Sequence, residues 1–315
     1  MSNFYARACK NGHLDITYRR AGEGELCKEC GEPIMDSCPV CGELIKQWHY
    51  YGMVYLTPKN LKFQLPDNCP HCGAGLPWSK NDKSAAGEIT TVLWDVDGTL
   101  LDFGASEEAC IRRCFDKYGV SINRHELEWY SECNHSYWKR LERGEITRSQ
   151  VYLGRFEDFF EYLGVSHIPA EQFNDEYQEA LGLSVVMQDG AMEICRYLKD
   201  KGDYRQYVVT NGSAVAQKGK LKNSGLGALM DGVFISEEIG AEKPSKEFFD
   251  VCGAHIPDYE PSKTMIIGDS LSSDMAGGNN AGITCCWFNP GGAQRPDGVR
   301  IDYEIKTLKA LEQIL

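Results

Sequence analysis

Short, nearly continuous apolar runs recur from residue 89 onward, each bounded by small or polar residues. They are Ile89-Thr90-Thr91-Val92-Leu93-Trp94, Tyr207-Val208-Val209, Gly232-Val233-Phe234-Ile235, Met265-Ile266-Ile267 and Ile283-Thr284-Cys285-Cys286-Trp287. Runs of this length without polar alternation are the pattern of parallel strands buried on both faces. Between the first and second runs the period changes. Ser106 is placed to cap a helix with Glu107 and Glu108 in its first turn, Cys110, Cys114, Phe115 and Tyr118 on its apolar face, and Gly119 at its end. Phe156, Phe159, Phe160 and Leu163 repeat at helical spacing, and residues 103–186 hold no strand pattern. The pattern predicts an α/β unit whose first and second strands are separated by an all-helical insertion.

Ahead of these runs the chain has a different character. The 315 residues, 42% hydrophobic, suffice for two or three folded units. The polar, small-residue stretch 79–88 reads as a linker. It separates an N-terminal domain (1–78) from a core formed by 89–102 and 187–315, with 103–186 as the insertion. The first residues lack the apolar stretch of a signal peptide, and no run approaches the roughly 18 apolar residues of a membrane span. A cytoplasmic protein without a membrane partner is expected. Residues 1–80 hold 9 basic and 8 acidic side chains, while the remaining 235 hold 24 and 38. So acidic a larger part disfavours nucleic-acid binding, and a small anionic substrate would need locally placed cations.

The candidate chemistry sits at the ends of the apolar runs. Asp95-Val96-Asp97-Gly98-Thr99-Leu100 follows the first run, where open α/β sheets place their ligands. Alternation puts Asp95 and Asp97 on one side, and two carboxylates so close repel unless a metal, a shared proton or hydrogen bonds compensate. Thr210-Asn211-Gly212, Glu242-Lys243-Pro244 and Gly268-Asp269-Ser270, with Asp274 five residues after Asp269, follow in order near later strand ends.

Together with the helical insertion, these four motifs resemble the haloacid dehalogenase superfamily over residues 89–315. The resemblance implies a Rossmann-like α/β core with a parallel sheet and an inserted all-helical cap. It also implies a magnesium-dependent phosphomonoester hydrolase. Asp95 would attack phosphorus and form an aspartyl-phosphate. Asp97 would be general acid to the leaving oxygen and then general base to water. Mg²⁺ would be held by Asp95, the backbone carbonyl of Asp97 and Asp269, with Asp274 supporting them. Thr210, Lys243 and the backbone around Gly98, Asn211 and Gly212 would hold the phosphoryl oxygens. An aspartate at position 97 is what phosphatases and phosphomutases of the superfamily carry, whereas its dehalogenases and transport ATPases do not.

Within the superfamily the chain is similar to the noncanonical pyrimidine 5′-nucleotidases. The similarity rests on Asn134, Trp138, Glu142-Arg143-Gly144-Glu145, Arg155-Phe156, Gly277-Gly278-Asn279 and Trp287-Phe288-Asn289-Pro290. It implies a nucleotide substrate, with Asn134 reading a pyrimidine edge, Trp138 or Phe156 stacking on the base, and Arg155 in the same cap group. Gly98 departs from the second aspartate common in that branch. A sugar-phosphate phosphatase or phosphomutase is the alternative enzyme, and a zinc-mediated binding protein with a relic phosphatase domain the alternative of another class.

Seven of the fourteen cysteines fall in the first 72 residues. Cys27-Lys28-Glu29-Cys30, Cys38-Pro39-Val40-Cys41 and Cys69-Pro70-His71-Cys72 are knuckles that turn two thiolates toward one metal, and Cys9 with His13 can supply a fourth pair. Eight ligands make two tetrahedral zinc sites. Sequential pairing gives Cys9, His13, Cys27 and Cys30, then Cys38, Cys41, Cys69 and Cys72; an interleaved pairing stays open. The region resembles tandem zinc ribbons, a small zinc-ribbon-like domain that could serve as a protein-docking or oligomer surface.

Overall fold

The computed structural model describes residues 2–22, 24–39, 41–50, 63–71, 76–78, 89–295 and 298–315. The expected linker 79–88 and Cys72 lie outside the described residues. The chain divides into two compact units, Met1–Gly87 with Cys286–Pro296 and Ile301–Leu315, and Glu88–Cys285 with Asp297–Arg300.

In the first unit β1 (Ser2–Cys9) is the shared strand, pairing antiparallel with β2 (Leu14–Thr17), β3 (Ile34–Met35) and β4 (Gln47–Tyr50). Strand alternation turns Phe4, Ala6 and Ala8 to a buried face. The guanidinium of Arg7 is covered by ion pairs to Asp15 and Glu25. So small a sheet buries little apolar surface, and such folds usually need a further tie such as a metal.

The second unit begins with β5 (Thr91–Trp94), all four residues buried, followed by α1 (Phe103–Lys117), α2 (Arg124–Glu142), α3 (Arg148–Leu163) and α4 (Ala170–Leu183). Then come α5 (Ala191–Lys201), β6 (Arg205–Thr210), α6 (Ala214–Ser224), β7 (Gly232–Ile235), α7 (Ser236–Ile239), α8 (Lys246–His255), β8 (Thr264–Gly268) and α9 (Ala276–Ala281). Within this unit the strands lie in the order β8-β5-β6-β7, while β9 (Thr284–Phe288) pairs parallel with β10 (Tyr303–Ile305) through residues 286–288, which are grouped with the first unit. β5 pairs parallel with both β6 and β8. Two strands that arrive late in the chain thus flank the first one, which opens a crevice at its C-terminal end. The five apolar runs became β5 to β9. The three-residue β10 is too short for its pattern to show in the sequence.

Helices α1 to α4 form the insertion. Asn123 with Glu126 and Thr147 with Gln150 make reciprocal capping boxes that start α2 and α3, and Gly164 ends α3 at φ 68°. Phe115, Tyr130, Phe156, Phe159, Phe173 and Tyr177 are fully buried between the helices. Each such ring contributes about 1.5–3 kcal/mol by its burial. One expectation is corrected. α1 starts a turn before Ser106, because Asp102 accepts from the Ala105 amide at 3.1 Å and takes the N-cap. Ser106 then lies inside the helix and donates to the Asp102 carbonyl, and Glu107 turns inward rather than sitting in an exposed first turn. Among the described residues no helix is long and apolar enough to cross a membrane.

Candidate active site

Asp95 is the first residue after β5, its amide donating to the Ile267 carbonyl of β8 at 3.0 Å. The strand end aims its carboxylate at the buried Lys243, whose Nζ donates to Asp95 Oδ1 at 2.8 Å, Asp274 Oδ1 at 2.6 Å and the Val209 carbonyl at 2.8 Å. An ammonium has three donors, and all three are used. Burial alone would lower the Lys243 pKa, but the charges of Asp274 and Asp95 outweigh it and raise it. Burial in turn pushes the Asp95 carboxyl up, with Lys243 pulling against that push. Asp269 is driven up to about 7 by burial and by the Asp274 charge.

Carboxylate oxygens of Asp95, Asp269 and Asp274 lie within 4.8 Å of one another. Three acids share one ammonium here, so a hard cation with oxygen ligands would relieve repulsion that Lys243 only partly offsets. The donor set fits Mg²⁺. Space for it depends on Gly98, which has φ 90° and where an added Cβ would stand 2.5 Å from the Asp269 carboxylate. Thr99, given no role by the sequence, lies with Oγ1 3.1 Å from Asp95 Oδ2 and 3.4 Å from Asp269 Oδ1. A hydroxyl four residues after a carboxylate in a tight turn was the available signal.

Thr210 ends β6 and is buried, its Oγ1 accepting from the Gly212 amide at 3.2 Å. Asn211 exchanges two hydrogen bonds with the backbone of Lys243, its amide nitrogen donating to the carbonyl at 2.8 Å and its oxygen accepting from the amide at 2.9 Å. That pairing sets the lysine's position from the end of β6.

The Asp97 carboxylate takes its hydrogen bonds from another element. Its Oδ2 accepts from Gln217 Nε2 and its Oδ1 from Lys220 Nζ, both at 2.6 Å. Both donors lie on α6 and both are buried. Sequence reasoning missed them, although Ser213, Gln217 and Lys220 recur at i, i+4 and i+7, one helix face. Gly212 makes the reach feasible: an added Cβ would meet Gln217 Nε2 at 2.2 Å.

The cap residues separate into two groups. Asn134, Arg155 and Phe156 are enclosed in the bundle. The Asn134 amide donates to Glu107 Oε1 at 2.7 Å and accepts from Arg155 at 2.8 Å, while Arg155 also donates to Asn174 at 3.1 Å. The Phe156 ring lies beneath the Arg155 guanidinium at 4.6 Å and packs on Tyr130, Phe173 and Tyr177. These contacts correct two expectations: Phe156 has no free face for a base, and Asn134 spends its amide within the cap. Trp138 is partly exposed, with the Arg148 guanidinium 5.8 Å from its ring centroid. Arg148, also unforeseen, donates from α3 to the Asn211 carbonyl at 2.9 Å and to Glu242 at 3.2 Å.

In the first unit Cys9, His13, Cys27 and Cys30 gather ligand atoms within 4.8 Å, as do Cys38, Cys41 and Cys69. Cys9 and Cys30 sulfurs are 3.6 Å apart, Cys41 and Cys69 sulfurs 3.7 Å, and His13 Nδ1 lies 3.3–3.6 Å from the sulfurs of Cys30, Cys9 and Cys27. Tetrahedral zinc with Zn–S of about 2.3 Å and Zn–N of about 2.0–2.1 Å needs edges of about 3.8 Å and 3.5 Å. Disulfides, with sulfurs about 2.05 Å apart, are ruled out at these distances. Among the described residues the two groups have the members of the sequential pairing, with Cys72 outside them.

Comparison with known proteins agrees with this geometry. The haloacid dehalogenase-like hydrolase family matches residues 89–282, and DUF2321, an uncharacterized protein family conserved in bacteria, matches residues 3–98. The HAD-hydrolase YfnB of Bacillus subtilis is 34% identical over 225 residues, 71% of this chain and 94% of that protein. The pyrimidine 5′-nucleotidase PynA of Streptococcus pneumoniae is 33% identical over 220 residues, 70% of this chain and 92% of PynA. The pyrimidine 5′-nucleotidase YjjG of Escherichia coli is 30% identical over 224 residues, 71% of this chain and 96% of YjjG. The crystal structure of magnesium-bound YfnB superposes with a TM-score of 0.68 at 32% identity, covering 73% of this chain and 99% of that one.

Proposed function

Since the chain belongs to the haloacid dehalogenase-like hydrolases, we propose that it hydrolyses phosphomonoesters through Asp95, and that its substrates are 5′-nucleotides, pyrimidine ones foremost. The observation that carries the reaction is the cluster of buried Asp95, Lys243 and Asp274 with the more exposed Asp269 beside them at the mouth of the central strand, and a second aspartate two residues on from Asp95. The nucleotide preference is supported by the two relatives named pyrimidine 5′-nucleotidases, each matched over more than nine-tenths of its length.

Asp95 supplies the carboxylate oxygen that attacks phosphorus, as the ester P–O bond breaks and the leaving oxygen takes a proton from Asp97. Water then attacks the aspartyl-phosphate with Asp97 accepting its proton. Lys243 fixes the direction of the Asp95 carboxylate and holds Asp274 in place. Thr210, Lys243 and the backbone at Gly98, Asn211 and Gly212 border the space for the phosphoryl oxygens. Asp95, the Asp97 carbonyl, Asp269 and Asp274 would hold Mg²⁺, which supplies positive charge for the phosphoryl group. In the first unit, zinc held by Cys9, His13, Cys27 and Cys30, and by Cys38, Cys41, Cys69 and Cys72, would fix the fold.

Phosphate release from a panel of pyrimidine and purine 5′-nucleotides and sugar phosphates, in Mg²⁺, tests the reading. Pyrimidine nucleotides should rank first. A sugar phosphate at the head of the ranking would replace the nucleotide assignment, and no release from any substrate would remove the hydrolytic one.

A further inference from the structure

A general acid works only if its carboxylate is held toward the leaving oxygen, and in this protein the hold on Asp97 comes from one helix. Both oxygens of Asp97 are engaged, Oδ1 by Lys220 and Oδ2 by Gln217. Two donors on two different oxygens fix the carboxylate's rotation, yet leave further lone pairs open for proton traffic.

Each donor is committed to this contact. Lys220 is 1% exposed, and Asp97 is the hydrogen-bond acceptor its ammonium has among the described residues, with the Phe103 ring centroid 5.1 Å away. A buried ammonium deprived of its partner is strongly unfavourable, so the pair is held together by the burial itself. Gln217 turns its amide nitrogen to Asp97 and leaves its buried Oε1 without a partner among the described residues. Leaving a buried acceptor unsatisfied is unfavourable. Turning the amide over would set oxygen against carboxylate, so the carboxylate dictates its orientation. Gly212, in turn, supplies the room through which Gln217 passes.

We propose that Lys220 and Gln217 are positioning residues that aim Asp97 at the leaving oxygen, and that Gly212 serves the reaction by admitting Gln217. The inference rests on the assignment of Asp97 as general acid. The N-cap of the same helix is Ser213, whose hydroxyl donates to Gln178 of the cap at 2.6 Å. α6 therefore carries both the support of Asp97 and a tie to the cap.

The test compares kcat/KM for the best nucleotide of the panel with kcat/KM for 2,4-dinitrophenyl phosphate. The dinitrophenolate leaves without protonation, and kcat/KM includes only the steps through departure of the leaving group. Lys220→Met should lower the nucleotide value about 10²-fold, at the low end of what general acid catalysis contributes, and the dinitrophenyl value less than about threefold. Lys220→Arg, which keeps the charge, should recover part of the nucleotide loss. If Lys220→Met does not fold, Gln217→Leu is read by the same ratio. Equal losses on both substrates would overturn the proposal and make these residues structural. Asp97→Asn separates the two levels: if it splits the substrates and the Lys220 and Gln217 variants do not, only this inference fails. If Asp97→Asn loses equally on both, the assignment of Asp97 fails first.

Discussion

Asp95 and Asn134 show how burial assigns different work to two polar side chains. Asp95 is nearly enclosed, yet its partners are charges that a reacting phosphate could rearrange. Asparagine at position 95 would conserve volume while removing the nucleophile, so Asp95→Asn should abolish phosphate release and keep a wild-type circular dichroism spectrum. Measurable turnover close to wild type would remove the covalent route. Asn134 is enclosed too, but by Glu107 and Arg155, which its amide bridges. Alanine there would leave a buried guanidinium and carboxylate short of partners, at about 1–3 kcal/mol for each group. Asn134→Ala is therefore expected to lower the melting temperature and to reduce kcat/KM alike for nucleotides and for an aryl phosphate. A loss confined to pyrimidine nucleotides would restore a base-reading role. The sequence told which residues are polar and in what order. It did not tell which of them spend their hydrogen bonds on each other, because Glu107, Asn134, Arg155 and Asn174 come from four different helices.

Strand ends and turns carried most of what was legible. A buried parallel strand needs a long apolar run and a small or acidic residue where the chain leaves the sheet, so Asp95, Thr210 and Asp269 could be placed at or near strand ends from the pattern alone. What lay beyond reach was the traffic between elements: Lys243 contacting two carboxylates, Gln217 and Lys220 crossing to Asp97, and Arg148 touching the Asn211 carbonyl. Such contacts depend on tertiary packing that no local period encodes. Gly98 was legible as a departure from its branch, and the turn now accounts for it. With φ 90° and Asp269 filling the position of a Cβ, this turn has no room for an aspartate as built. A left-handed backbone costs a non-glycine residue about 1–2 kcal/mol before any clash is counted. Gly98→Ala should thus raise the Mg²⁺ concentration needed for half-maximal activity and lower kcat at least about tenfold, the equivalent of 1.4 kcal/mol. Titration of activity against Mg²⁺ checks this, and an unchanged curve would mean that Asp269 is free to move aside.

At the scale of the whole chain, the two units carry ligand sets of different chemistry. The groups assigned to hydrolysis all lie between residues 95 and 274, inside the second unit, and offer oxygen donors suited to Mg²⁺. The first unit offers thiolates and an imidazole at zinc spacing around a short four-stranded sheet. Its grouping with Cys286–Pro296 and Ile301–Leu315 was not foreseen, since the apolar run at 283–287 read as one more strand of the core. A truncation starting near residue 84 would consequently leave pieces of the first unit behind, and removing zinc from the full chain is the cleaner experiment. The purified protein should carry about two zinc ions, the number set by eight ligands at four per site. A zinc chelator with excess Mg²⁺ present should strip both and open residues 1–78 to proteolysis, because metal binding and folding are one equilibrium in a small cysteine-rich unit. Phosphate release should persist, since no group assigned to it is a zinc ligand. If activity instead falls in step with zinc content and returns when zinc is restored, the first unit must shape the active site, and the division of labour proposed between the two units is wrong.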